Sequence, residues 1–177
     1  MRALVVYESM FGATRTIAEA MVAALEHRGL IVTLSTAASA PCSTAGFGLV
    51  VVGAPTHAHT LPQASSRTEA AEWAANPAKA LTLEPSAHLI GVREWLKAVV
   101  VPEPAPHGAA FATRVDIVRL LSGDAAVSIA KQLRARGVID VERECFLVSS
   151  SSHLLEGERS RAEQWADGLP ALASAGI

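Results

Sequence analysis

The run Leu49-Val50-Val51-Val52-Gly53-Ala54 is apolar without alternation and is closed by Pro55. Successive side chains of a strand point to opposite faces, so a strand that is apolar at every position is covered on both. Such a strand sits in the middle of a sheet with helices above and below. The rest of the chain supplies matching elements. Shorter apolar runs occur at Ala3–Tyr7, Leu30–Leu34, Gly108–Thr113 and Glu144–Ser149. Between them lie segments with helical spacing. Ile17, Ala18, Met21 and Leu25 share one face, and Gly29 marks a stop. Ala64–Ala75 and Leu89–Val99 have helical composition, with Asn76-Pro77 between them. Ser122 and Asp124 open a helix to about Arg136 carrying Val127, Ala130 and Leu133, and Gly157–Leu172 carries Ala162, Trp165, Ala166 and Leu169.

Strands alternating with helices predict an α/β fold, a doubly wound five-stranded parallel sheet in the order 2-1-3-4-5. At 177 residues, 50% hydrophobic and 18% charged, the chain is expected to form one domain over residues 1–177. Ligands of such sheets bind outside the carboxyl ends of the strands where the order reverses, here between strands one and three. Two loops emerge there, Glu8–Thr14 and Pro55–Gln63. The first joins a buried strand directly to a helix, so the free N–H groups and the positive end of the helix dipole favour an anion. Ser9 and Thr14 add hydroxyls, and Gly12 permits close approach of backbone. The loop holds no lysine or arginine and matches neither GxxxxGK[ST] nor GxGxxG, which points to a small terminal phosphate bound by neutral donors. Arg15 in the first helical turn is expected to be solvated.

Five motifs, in order, carry a likeness to a known family: SMFGAT (Ser9–Thr14), GAPTH (Gly53–His57), GVREWL (Gly91–Leu96), AAFATRVD (Ala109–Asp116) and LLEGERSRAEQW (Leu154–Trp165). Together they resemble the flavodoxin family, in particular a short-chain, actinobacterial-type group of flavodoxin-domain proteins. The resemblance implies FMN as cofactor and electron transfer between a reduced donor and a quinone or protein acceptor. It implies phosphate anchoring by Ser9, Met10, Phe11, Gly12, Ala13 and Thr14, ring contacts from Pro55, Thr56, His57 and His59, and a third wall from Thr113 and Arg114. Three features depart from the family. No aromatic sandwich is evident in the flanking loops, and the second carries His57, Ala58, His59 and Thr60 instead. Thr60 stands where relatives often have a glycine that eases a peptide rearrangement on flavin reduction. Net charge is −2, far from strongly acidic.

That charge gives no reason to expect nucleic acid or an anionic membrane as partner. No apolar run is long enough for a membrane span and no signal-peptide pattern precedes the first strand, so a cytoplasmic protein is expected. Cys42 and Cys145 form no CxxC. His57, His59, His107 and His153 fix no metal-ligand spacing. Glu8 stands alone where a receiver domain has paired acids, and GxSxG is absent. No catalytic acid or base is identifiable. Trp73, Trp95 and Trp165 fall in helical patterns and are expected to pack. The alanine-rich segment Ala64–Ala80, bounded by Pro62 and Pro77, is expected to be a mobile cover. The alternative function is a flavodoxin fold without flavin, serving as a binding or structural module.

Overall fold

The computed structural model describes residues 1–57, 59–116 and 123–170. In chain order the elements are β1 (Arg2–Tyr7), α1 (Ala13–His27), β2 (Ile31–Thr36), β3 (Leu49–Pro55), α2 (Ala64–Ala75), a 3-10 turn (Pro77–Lys79), α3 (Val92–Ala98), β4 (His107–Val115), α4 (Ala125–Ala135), β5 (Ile139–Val148) and α5 (Glu158–Gly168). The sheet is five-stranded, parallel, and ordered β2-β1-β3-β4-β5, as the sequence pattern predicts.

β3 is central, with Val5 opposite Val51 on one side and Gly53 opposite Phe111 on the other. Its neighbour β1 divides by parity. Ala3, Val5 and Tyr7 join the α1 and α5 side with Ile17, Met21, Leu25 and Ala162, while Leu4 and Val6 join the α3 and α4 side with Trp95, Leu96, Ile129 and Leu133. Each such aliphatic side chain, fully buried, contributes about 1.5–3 kcal/mol. Gly53 is required by this packing, since a Cβ there would lie 2.0 Å from the Phe111 ring.

Three boundaries differ from expectation. β5 begins at Ile139, not Glu144, and carries exposed Ile139, Asp140, Glu142 and Arg143 as an edge strand does. α3 begins at Val92, leaving Leu89 and Ile90 exposed. α5 ends at Gly168. The predicted positions Ser122 and Leu172 lie outside the described residues.

Candidate functional site

The loops after β1 and β3 and the end of β4 meet at one cavity of about 310 Å³, within the ~300–1,000 Å³ range of small-molecule sites. The Glu8 N–H donates to the Gly53 carbonyl (2.9 Å), fastening the first loop to β3. Ser9 Oγ accepts the Gly12 N–H at 3.1 Å, which folds the loop back on itself. Gly12 caps α1 at φ +96°. It does not line the cavity, and a Cβ on it would face Glu84 at 3.3 Å. The sequence expectation that Gly12 clears the way for an anion is therefore corrected: glycine is needed for the left-handed turn that starts α1. Past it, the first-turn N–H groups of Ala13 and Thr14 have no intrahelical acceptor. Thr14 Oγ1 lies 2.8 Å from Thr113 Oγ1, both buried, so α1 and β4 share a hydroxyl pair at the cavity wall.

The second loop is a tight reversal. His57 and Thr60 exchange backbone hydrogen bonds of 2.9 and 3.0 Å, and His59 takes φ +71°. Ala58 lies outside the described residues. The left-handed position of this turn is His59. A non-glycine residue there costs about 1–2 kcal/mol. Gly123 holds the turn from behind, where a Cβ would lie 2.2 Å from His59 Cα. Thr60 Oγ1 pairs with Ser128 Oγ at 3.2 Å. Thr56 donates its N–H to the Thr113 carbonyl (2.7 Å) and accepts the Ala125 N–H on Oγ1 (3.1 Å).

The cavity is lined by Ser9, Met10, Phe11, Ala13, Thr14, Pro55, Thr56, His57, His59, Thr113 and Arg114, every predicted site residue but Gly12. It is also lined by residues that sequence reasoning missed: Ser66, Ala70, Trp73, Val115, Val148 and Ser152. Trp73 corrects an expectation, because it faces the cavity and is not a core packing residue. Its ring centroid is 6.4 Å from that of His57, and Lys79 Nζ sits 4.8 Å above it. His57 Nε2 contacts Glu69 at 3.0 Å. The available signal was helical spacing, since Ser66, Ala70 and Trp73 recur at i, i+4 and i+7 on α2.

Behind this wall the insertion braces the first loop. Met10, Ala70 and Ala87 are buried together against Phe11 and Leu83, and the Glu84 N–H donates to the Met10 carbonyl (2.8 Å). Arg15 stays partly exposed while pairing with Glu84 (3.0 Å) and Glu19 (3.0 Å), and the Glu84 hydrogen bond is the main cause of its raised pKa. His107 starts β4, at the opposite end of the strand from Thr113, so the four histidines do not gather. Among the described residues no group of three or more His, Cys, Asp or Glu is placed to hold a metal, and no helix is long and apolar enough to cross a membrane.

FMN fits what is present. The first loop offers neutral donors at a helix start, and the cavity has aromatic and imidazole walls suited to a planar ring.

A flavodoxin-domain model matches residues 4–82. No curated protein matches the chain. Solved structures do. A flavodoxin from the domain Archaea aligns at 16% identity and TM-score 0.59 over 94% of both chains. Oxidised flavodoxin 1 from Bacillus cereus aligns at 11% and 0.60 over 94% of this chain and 95% of that one. The rubredoxin oxygen:oxidoreductase of Desulfovibrio gigas aligns at 16% and 0.63 over 95% of this chain but 35% of its own. The domain match in the first part of the chain and the likeness to these structures along its length give this chain a flavodoxin-like fold.

Proposed function

We propose that the chain holds FMN in this cavity and passes electrons between a reduced donor and a quinone or protein acceptor. The observation that carries this is the convergence of the α1 start, the β3 loop and the end of β4 on one cavity whose wall includes Trp73 and His57. Bound flavin would supply the redox chemistry. The residues supply placement. Ser9 to Thr14 would hold the phosphate by N–H groups and hydroxyls, with Thr113 sharing the Thr14 hydroxyl pair. Pro55, Thr56, His57, His59, Trp73 and Arg114 would border the ring and limit water around it. Trp73 takes the aromatic role that neither flanking loop provides. Placement in the short-chain group, a single domain over residues 1–177 and a cytoplasmic location belong to the same reading, supported by the five motifs and by one continuous sheet.

The test is an absorption spectrum of the purified chain followed by titration with FMN under flavin fluorescence. Flavin absorption, or saturable uptake of added FMN, is the expected result. A colourless protein that takes up no FMN would instead favour the flavin-free binding module.

A further inference from the structure

Arg67 is a buried cation in α2, with its side chain 9% exposed, against a Glu8 side chain that is 5% exposed. Its Nε donates to Glu8 Oε1 at 3.0 Å, and its two terminal nitrogens donate to Glu94 at 2.6 and 3.4 Å. The carboxylates are satisfied further by α3. Glu8 Oε2 accepts the Val92 N–H and Glu94 Oε2 accepts the Gly91 N–H, each at 2.9 Å. Gly91 cannot carry a side chain here, because a Cβ would lie 2.1 Å from Glu8 Oε2 and 2.3 Å from an Arg67 terminal nitrogen. One guanidinium therefore joins the end of β1, immediately before Ser9, to two segments of the insertion.

Little else holds α2. Its buried residues are Ser66, Arg67 and Ala70, so the apolar face is thin. A guanidinium bound on two sides fixes the rotation of a helix about its axis in a way that a few alanine contacts do not. That rotation decides what the cavity sees, since Ser66, Ala70 and Trp73 present themselves to it only in the observed setting. Ser66 Oγ accepts the Gln63 N–H at 3.2 Å, so at the cavity wall its own O–H remains available to donate.

We propose that Arg67 is a positioning residue: held between Glu8 and Glu94, it makes α2 a fixed wall and sets Ser66 and Trp73 against the planar ring of the ligand. The ligand's identity rests on the function proposed above; the positioning of α2 does not. The insertion is then a built part of the site and not a loose cover.

The test compares the unliganded chain with Arg67→Met, Arg67→Lys and the double variant Arg67→Met/Glu8→Gln. Amide exchange is followed over residues 64–75 and over β1 and β3, and affinities for FMN and riboflavin are measured in parallel. In Arg67→Met, protection over 64–75 is expected to fall about tenfold or more with the strands unchanged. FMN and riboflavin should weaken by a similar factor, because the phosphate end is held separately. Arg67→Lys should recover part of the protection, and the double variant should not. Unchanged protection in Arg67→Met overturns the proposal. So does full recovery in the double variant, which would mean that a stranded buried charge was the whole effect. Loss of FMN affinity with riboflavin untouched also overturns it, by placing the effect at the phosphate end. If Arg67→Met does not fold, Arg67→Lys and the double variant carry the same readouts. If the parent chain takes up no flavin, the exchange data still decide the role of Arg67, and the failure belongs to the proposed ligand.

Discussion

The cavity has two kinds of wall. On one side α1 buries Thr14, Ile17, Ala18, Ala20, Met21, Ala24 and Leu25 against the sheet, and that packing fixes where the loop before it meets the cavity. On the other side α2 buries only Ser66, Arg67 and Ala70, and is fastened by charge and by the small cluster around Met10. The difference is one of mechanism. Apolar burial is non-directional and insensitive to pH, whereas the triad depends on geometry and on the ionised Glu94 carboxylate. A fold arranged this way is expected to lose α2 under conditions that leave α1 in place.

Ile17→Ala probes the first wall and has the largest expected effect, a loss of about 2–5 kcal/mol of global stability in urea melts, because Ile17 is fully buried. Only a change confined to the loop and α2 would contradict the distinction. Next, Thr14→Ala removes a hydroxyl near the proposed anion site and strands the buried Thr113 hydroxyl. Affinity for FMN should fall by on the order of 1.5–3 kcal/mol, or roughly tenfold to over a hundredfold, with the fold intact by circular dichroism. A smaller effect is expected from acid. Burial pushes the Glu94 carboxyl up, but the Arg67 hydrogen bond, the Gly91 N–H and the Arg67 charge together hold it below its ordinary value of 4.5. A depressed carboxyl stabilises the fold above its unfolded-state pKa, and that contribution is lost as pH falls through the folded-state value. Residues 64–75 should therefore lose exchange protection below about pH 4.5, once exchange is corrected for its intrinsic pH dependence and before β1 and β3 open. Simultaneous opening of all three would sink the contrast. Arg15→Ala should matter least. Its side chain is 41% exposed, and such pairs contribute about 0–1 kcal/mol; chemical melts should barely move.

The first wall was legible in the sequence because its signals are local. An apolar strand, then Ser9, Gly12 and Thr14, then apolar residues at helical spacing, are all decided within about one loop length. The sheet order followed from five such units. The second wall was not legible, for a physical reason. Arg67 meets Glu8 and Glu94 across 59 and 27 positions of sequence, and a charged residue on a helix gives no periodic sign that it will be buried. Trp73 was hidden similarly, since an aromatic at helical spacing serves a core or a cavity equally well until the helix is placed. The start of β5 was missed because Ile139 to Arg143 alternates with charge, as an edge strand does and a buried strand does not. His59 escaped because nothing in the sequence around it marks a non-glycine residue that will take a positive φ.

The close fit of Phe111 over Gly53 bears on how far the chain can be divided. The flavodoxin-domain match ends at residue 82, before β4, so a fragment cut there would keep the loops after β1 and β3 and lose the ring that fills the space above Gly53. It would also leave β3, the most apolar strand, as a bare edge open to pairing with other chains. The complementary fragment would carry Phe111 and Thr113 with nothing to cover. The two pieces are expected to rebuild the sheet when mixed, through β3 and β4, and neither to stay monomeric alone, which makes that seam the natural place to split this protein into a two-part reporter.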